Sequence, residues 1–257
     1  MTQVTALATE KGGAGKTTLV VAVAGVLAAE RQLRTLIVDL DPRHTATSSL
    51  ALTPDKTMGQ WLLDPDDEDA VLPKPVPTAV DGLDVLPGHP AFATVEKHLA
   101  NEPDRHVRLR QLLDTLDAEV EPYDQVLVDT PGGLGVSLIM ALGAAETVVV
   151  PTMLSRGDVE AVASSLRFVT RSRDAGTSTA QVRLLVPCRT DSTTVLSRTV
   201  VEAVEERFGI PVAPQVASRV AHAEATWEGV PVTVHEPRSK AAEEARAVAD
   251  RLLEVQP

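Results

Sequence analysis

A chain of 257 residues with 44% apolar content is long enough for one large α/β domain or two small ones, and its six aromatic side chains leave the core to Val, Leu, Ile and Ala. A lone cysteine, Cys188, excludes a disulfide framework and paired thiolate ligands. The net charge of −12 is uneven: residues 1–150 hold 11 Lys and Arg against 22 Asp and Glu, residues 151–257 hold 13 against 14, so any nucleic-acid contact needs a local arginine patch.

The six histidines show no close-set pair with metal-ligand spacing. The opening Met1-Thr2-Gln3 lacks the charged and apolar regions of a signal peptide, and no apolar run approaches 18 residues. The expectation is a cytoplasmic protein.

The first predicted strand is Val4 to Ala8 and the first helical pattern Thr18 to Ala29. Between them lies Glu10-Lys11-Gly12-Gly13-Ala14-Gly15-Lys16-Thr17-Thr18. A glycine-rich loop from a buried strand into a helix N-terminus lets backbone N–H groups close around an anion. Lys16 is placed to reach the β and γ phosphates of a nucleotide, and Thr17 to offer its hydroxyl to Mg²⁺. The strict phosphate-loop pattern asks for glycine where Glu10 stands, and here a second lysine, Lys11, heads the loop instead.

Thr35 to Leu40 is the next strand, with Asp39 and Asp41 at its carboxyl end, where ligands of open α/β sheets bind, and Pro42 to terminate it. Residues 64–80 break the rhythm: the acidic run of residues 64–69, with Pro73, Pro75 and Pro77, reads as a solvated surface excursion. Leu83 to Leu86 and Gln125 to Val128 are strands flanking a helical pattern at Arg105 to Ala118. The second strand delivers Asp129 at its tip as a Mg²⁺-holding carboxylate, followed by Thr130-Pro131-Gly132-Gly133, whose glycines let the loop approach a γ-phosphate. Strands at Thr147 to Val150 and Val182 to Val186 and helices at Val159 to Arg173, Thr194 to Phe208 and Lys240 to Leu253 complete the series. This alternation predicts an α/β fold: a mainly parallel, doubly wound sheet with helices on both faces, forming one domain over residues 1–257.

The run Lys-Gly-Gly-x-Gly-Lys-Thr-Thr at residues 11–18 resembles the deviant loop of the ParA/MinD class of P-loop ATPases. The likeness extends through Asp41-Pro42, Ala46-Thr47, the strand end at residues 148–152, residues 219–225, Gly229-Val230-Pro231-Val232 and Ser239-Lys240-Ala241-Ala242. It implies a P-loop NTPase fold, ATP and Mg²⁺ as cofactors, and a Lys11 that reaches the nucleotide of a second subunit in an ATP-sandwich homodimer. It further implies that Asp41 orients or activates the attacking water, with Asp39 near the Mg²⁺ shell. Asp41-Pro42 would form switch I and Asp129 to Gly132 switch II. Pro187 and Arg189 stand where this class positions adenine, beside a Cys188 read as an apolar packing residue.

The sequence departs from the class at Arg43-His44, at Gly132 and at Cys188-Arg189. Arg43 either adds positive charge beside the γ-phosphate or faces solvent, and solvent is the expectation. By resemblance the protein is a small, nucleoid-associated partition ATPase. Its ATP dimer would bind DNA without sequence preference and be released when a ParB-like partner stimulates slow hydrolysis. The loop begins ten residues in, which leaves no room for an N-terminal helix-turn-helix. Arg167 and Arg171, four apart on one helix, form the candidate DNA patch with Arg173 and Arg219. A MinD-like membrane role would need a basic amphipathic tail, and residues 241–257 carry four acidic residues against two arginines. Two further alternatives are positioning of another cargo and a metabolic enzyme of the dethiobiotin or cobyrinate type, a group that generally lacks the early lysine.

Overall fold

The computed structural model describes residues 2–67, 69–153, 156–190 and 195–257. In chain order its elements are β1 (Gln3–Leu7), α1 (Lys16–Ala29), β2 (Thr35–Asp39), α2 (Thr45–Ser49), α3 (Thr57–Leu63), β3 (Val76–Pro77) and β4 (Leu83–Leu86). There follow α4 (Phe92–Leu99), α5 (Arg108–Glu119), β5 (Gln125–Asp129), α6 (Val136–Ala144), β6 (Thr147–Thr152) and α7 (Arg156–Asp174). The chain closes with β7 (Gln181–Thr190), α8 (Val195–Phe208), β8 (Val216–Ala217), α9 (Val220–Glu228), α10 (Val232–His235) and α11 (Lys240–Val255).

The strands form one sheet in the order β3-β4-β2-β5-β1-β6-β7-β8. Every pairing is parallel except β3 against β4, at the edge. That exception falls inside the expected surface excursion, where Pro77 sits in the edge strand, the one place in a sheet where a missing N–H costs nothing. Asp64, Asp66, Asp67 and Asp69 are exposed, as their charge requires; Glu68 lies outside the described residues.

Alternation along each strand divides the core in two. Leu36 and Val38 of β2 join Val126 and Val128 of β5 under α3 to α8, whereas Ile37 and Leu127 turn to the opposite layer of α1, α2, α9, α10 and α11. Helix α1, Lys-Thr-Thr-Leu-Val-Val-Ala-Val-Ala-Gly-Val-Leu-Ala-Ala, is buried on nearly every side between sheet and outer helices.

Pattern reading found β1, β2, β4, β5, β6 and the five longest helices, with shifted ends. α5 starts at Arg108 rather than Arg105. α8 starts at Val195, because the expected first residue, Thr194, is not among the described ones. The strand expected to end at Val186 continues to Thr190, because Thr152 pairs with Pro187 on one side and Cys188 with Val216 on the other. Helices α2, α3, α4, α9 and α10 are too short to show a period. Helix α6 escaped because it is apolar on all faces: Leu138, Met140, Ala141, Leu142 and Ala144 are all buried.

Gly143 of α6 packs directly on the backbone of His106, and a Cβ there would lie inside van der Waals contact of the His106 carbonyl. Helix propensity alone makes Gly143→Ala stabilising by ~1 kcal/mol. Overpacking against backbone reverses the sign, and urea unfolding of the variant should show a loss of about 2 kcal/mol.

Candidate nucleotide site

The carboxyl ends of β1, β2, β5 and β7 open onto a cleft of about 700 Å³. Its floor is the glycine-rich loop, which leaves β1 and enters α1 through Gly15. That residue sits at φ 88°, a left-handed conformation that glycine adopts without the penalty of a Cβ. Gly12, Gly13, Gly15, Lys16, Thr17 and Thr18 all line the cleft. Ala14, also expected in the cradle, is buried beneath it. The N-terminus of α1 therefore points unsatisfied N–H groups at the space an anion would fill.

The chemistry gathers at Asp129. Its carboxylate is fully buried at the tip of β5, and Oδ2 accepts a 2.7 Å hydrogen bond from the Thr17 hydroxyl. The other oxygen, Oδ1, is buried with no hydrogen-bond partner. A bare carboxylate oxygen beside a threonine hydroxyl, at the mouth of a phosphate cradle, suits Mg²⁺, which takes one or two protein oxygens and completes its shell with water and phosphate. No group of three or more His, Cys, Asp or Glu fit for a metal occurs among the described residues. Burial, and then the neighbouring charge of Asp39, push the Asp129 carboxyl up to about 8, against the pull of Thr17 and Lys16. Lys16, 7% exposed, is held below its ordinary value by burial, with Asp129 and Asp41 opposing.

Asp39 pairs in register with Asp129 but does different work. Its Oδ2 accepts from the backbone N–H of Thr47 at 2.9 Å and from the Thr47 hydroxyl at 2.7 Å, and Oδ1 from the Asp41 N–H at 3.2 Å. Gly88 N–H then donates to Thr47 Oγ1 at 2.9 Å. Asp39 thereby anchors the segment from Asp41 to Thr47, since a buried carboxyl group draws nearby donors, and it does so in register beside Asp129. Asp41 reaches the cleft, as does Arg43, which is exposed and yet lines it. Pro42 is half-buried between them, and His44 turns away at φ 42° to contact Ser48 Oγ at 2.8 Å.

Switch II lies across the floor. Thr130 donates to the Leu7 carbonyl at 2.8 Å, and Thr130, Pro131 and Gly132 all line the cleft. A Cβ on Gly132 would meet Gly12 Cα at 3.0 Å, so the two loops touch backbone to backbone.

Of the two residues expected beside adenine, one lines the cleft. Pro187 is buried within β7 and does not line the cleft. Arg189 does line it, but folds back at φ 54° to donate to the Gly13 carbonyl at 2.9 Å. Cys188 packs against Gly15, its thiol pushed up to about 12 by burial, so it is an inert wall. The remaining wall, missed in the sequence, runs from Val216 through Arg219 to His222, Ala223 and Thr226. Its only sequence signal was the family-like run at residues 219–225.

Lys11 does not line its own chain's cleft. It stands on the other side of the loop, around a separate hollow with Glu10, Glu160 and Arg167.

Comparison with known proteins now decides the family. The family model described as AAA domain matches residues 2–181. The chromosome-partitioning ATPase Soj of Thermus thermophilus is 33% identical over 249 residues, covering 96% of this chain and 94% of its own. The chain is a ParA/MinD-type P-loop ATPase. Among solved structures, a Mycobacterium smegmatis protein titled cobyrinic acid a,c-diamide synthase, with a bound ATP analogue and magnesium, superposes at a TM-score of 0.82. It is 31% identical and covers 100% of this chain and 98% of its own. Cyanothece McdA with ATP superposes at 0.84 with 20% identity, covering 98% and 96%, a likeness of fold. As a P-loop ATPase of this type the chain uses ATP.

The raised Asp129 pKa carries a stability signature. Between about pH 4 and about pH 8 the folded chain holds a proton that the unfolded chain has released, so nucleotide-free stability falls as pH rises through that window. Asp39, also raised by burial, adds the same sign. Lys16, held low, adds the opposite slope on the alkaline side. Calorimetry should give a lower Tm at pH 8 than at pH 5.5, a flatter profile in Asp129→Asn, and recovery at pH 8 with Mg²⁺ and ATP.

Proposed function

We propose that this ATPase is a nucleotide-switched partition protein in which ATP joins two copies face to face, with Lys16 and Lys11 of opposite subunits serving the same triphosphate. The observation that carries the reading is the position of Lys11, at the head of the phosphate loop yet outside the cleft of its own chain. Asp129 and Thr17 would hold Mg²⁺, whose chemistry is to neutralise charge on the transferred phosphoryl group. Asp41 would orient the attacking water. Switch I, hung on Asp39, and switch II, lying against Gly12, would sense the γ-phosphate. Relatives named as chromosome-partitioning proteins support partition as the purpose, with a ParB-like partner stimulating slow hydrolysis on the nucleoid.

The DNA contact we propose is a revised version of the expected arginine patch. Arg219 leaves it: two of its N–H groups bond the Glu244 carboxylate, and it caps α9 in the layer opposite α7. Arg207 of α8 replaces it, lining a groove with Arg167 and Arg171 over Leu166 and Phe208. Arg31, Arg108, Arg110, Arg246 and Arg251 are all ion-paired. Among the described residues Arg167, Arg171 and Arg207 are not, and no carboxylate lines their groove. Guanidinium groups without carboxylate partners, concentrated on an acidic protein, suit a phosphate backbone. Arg173 is exposed nearby, outside the groove lining.

The named M. smegmatis synthase raises a second reading, phosphoryl transfer to a carboxylate. ATP turnover that depends on an added carboxylic acid and is indifferent to Lys11→Ala would support it over partition.

Sedimentation velocity tests the dimer. With Mg²⁺ and ATP the protein should sediment as a dimer, and with ADP or no nucleotide as a monomer. Lys11→Gln and Lys16→Ala should remain monomeric, and Asp41→Ala should hold the dimer longer. Retention on random-sequence duplex should require ATP. The Arg171→Ala/Arg207→Ala double variant should weaken it at least tenfold and lower the slope of log K against log salt by about 2. Equal retention with ADP would count against the partition reading.

A further inference from the structure

The triphosphate end of the cleft is fixed by the glycine-rich loop and Lys16, so the nucleoside must lie along the wall formed by β8 and the start of α9. Most polar groups on that wall are already engaged. Glu244 takes the Arg219 guanidinium and the Ala217 N–H, and the Thr226 hydroxyl donates to the His222 carbonyl at 2.9 Å. Arg189 is turned onto Gly13, and Cys188 offers only apolar surface.

Two groups remain, the Ser218 hydroxyl, which is exposed and so satisfied by water, and His222. His222 lines the cleft, yet its Nε2 is buried without a hydrogen-bond partner. A buried ring nitrogen left unpaired is costly, and a ligand that pairs it recovers that cost on binding. Burial, with the nearby Arg219 charge, lowers the His222 pKa against the pull of Glu244, which keeps the ring neutral near pH 7. A neutral imidazole is a poor phosphate ligand and a good hydroxyl ligand, because a hydroxyl can donate or accept and so satisfies either tautomer.

Position separates sugar from base. His222 also lines a smaller hollow of about 320 Å³ that it shares with Thr17 and Thr18, the first turn of the phosphate-binding helix. A group beside that turn faces the part of a nucleotide next to its phosphates, which is the ribose. We infer that His222 is a ribose-binding residue of this ATPase, its Nε2 pairing with a sugar hydroxyl of ATP. The inference rests on the cleft being the nucleotide site. It adds a contact by which this chain distinguishes ribonucleotides from deoxyribonucleotides.

The test is a cycle between protein and ligand, read by equilibrium binding with Mg²⁺ at pH 7.5. Affinities for ATP, 2′-deoxy-ATP, 3′-deoxy-ATP and GTP are measured on wild type, His222→Ala and His222→Gln. Wild type should prefer ATP over at least one deoxy analogue by about fivefold to tenfold, the effect of one hydrogen bond. That preference should fall to about onefold in His222→Ala and partly return in His222→Gln, while the ATP-to-GTP ratio stays constant. An undiminished deoxy preference in folded His222→Ala overturns the inference, as does a change confined to the ATP-to-GTP ratio, which would place the ring on the base. Failure of wild type to bind any of the four would instead remove the nucleotide assignment of the cleft, and the inference with it.

Discussion

A carboxylate with no solvent exposure, held by one threonine hydroxyl and carrying a bare second oxygen, is the constraint on which this molecule turns. Burying such a group unpaired is unfavourable, and the surroundings of Asp129 make sense only as half of a site. The phosphate loop supplies Thr17 and Lys16 to it, β2 supplies the neighbouring charge of Asp39, and the loop that follows it lies across the glycines. Metal and triphosphate would complete what the fold leaves open.

The two aspartates at the sheet's carboxyl edge show how register sorts identical chemistry into different roles. Asp39 and Asp129 are partners across adjacent parallel strands. One is saturated by donors from the segment Asp41 to Thr47, and the other keeps a buried oxygen without a partner. The segment from Asp41 to Thr47 is thus tied to the sheet edge by three hydrogen bonds to Asp39.

Charge is organised by the same economy. Several arginines in the described structure are neutralised locally, Arg219 by Glu244 and Arg246 by Glu30 among them. The α7–α8 groove is lined by Arg167, Arg171 and Arg207 and by no carboxylate, within a chain of net charge −12, although Arg167 also borders a hollow with Glu10 and Glu160. Helix α7 also meets the head of the phosphate loop, where Ser165 Oγ accepts from the Glu10 N–H at 3.3 Å. Helix α7 therefore touches the nucleotide loop and carries two of the three groove arginines.

The sequence by itself determined the parallel α/β class, the phosphate loop, the carboxylates at strand ends and the resemblance to ParA/MinD ATPases. Each of these is a local matter: a buried strand, a glycine run and a charged tip lie within a short stretch of chain. Tertiary structure alone decided which aspartate keeps a bare oxygen, because that depends on Thr47 and Gly88 arriving from elsewhere in the chain. It decided that Pro187 is strand and not pocket, since Pro187 pairs with Thr152 of β6. It tied Arg219 to Glu244, grouped Arg207 with Arg167 and Arg171, and brought His222 to the cleft, because which helix faces share a layer is set by the folding of the sheet and not by spacing along the chain.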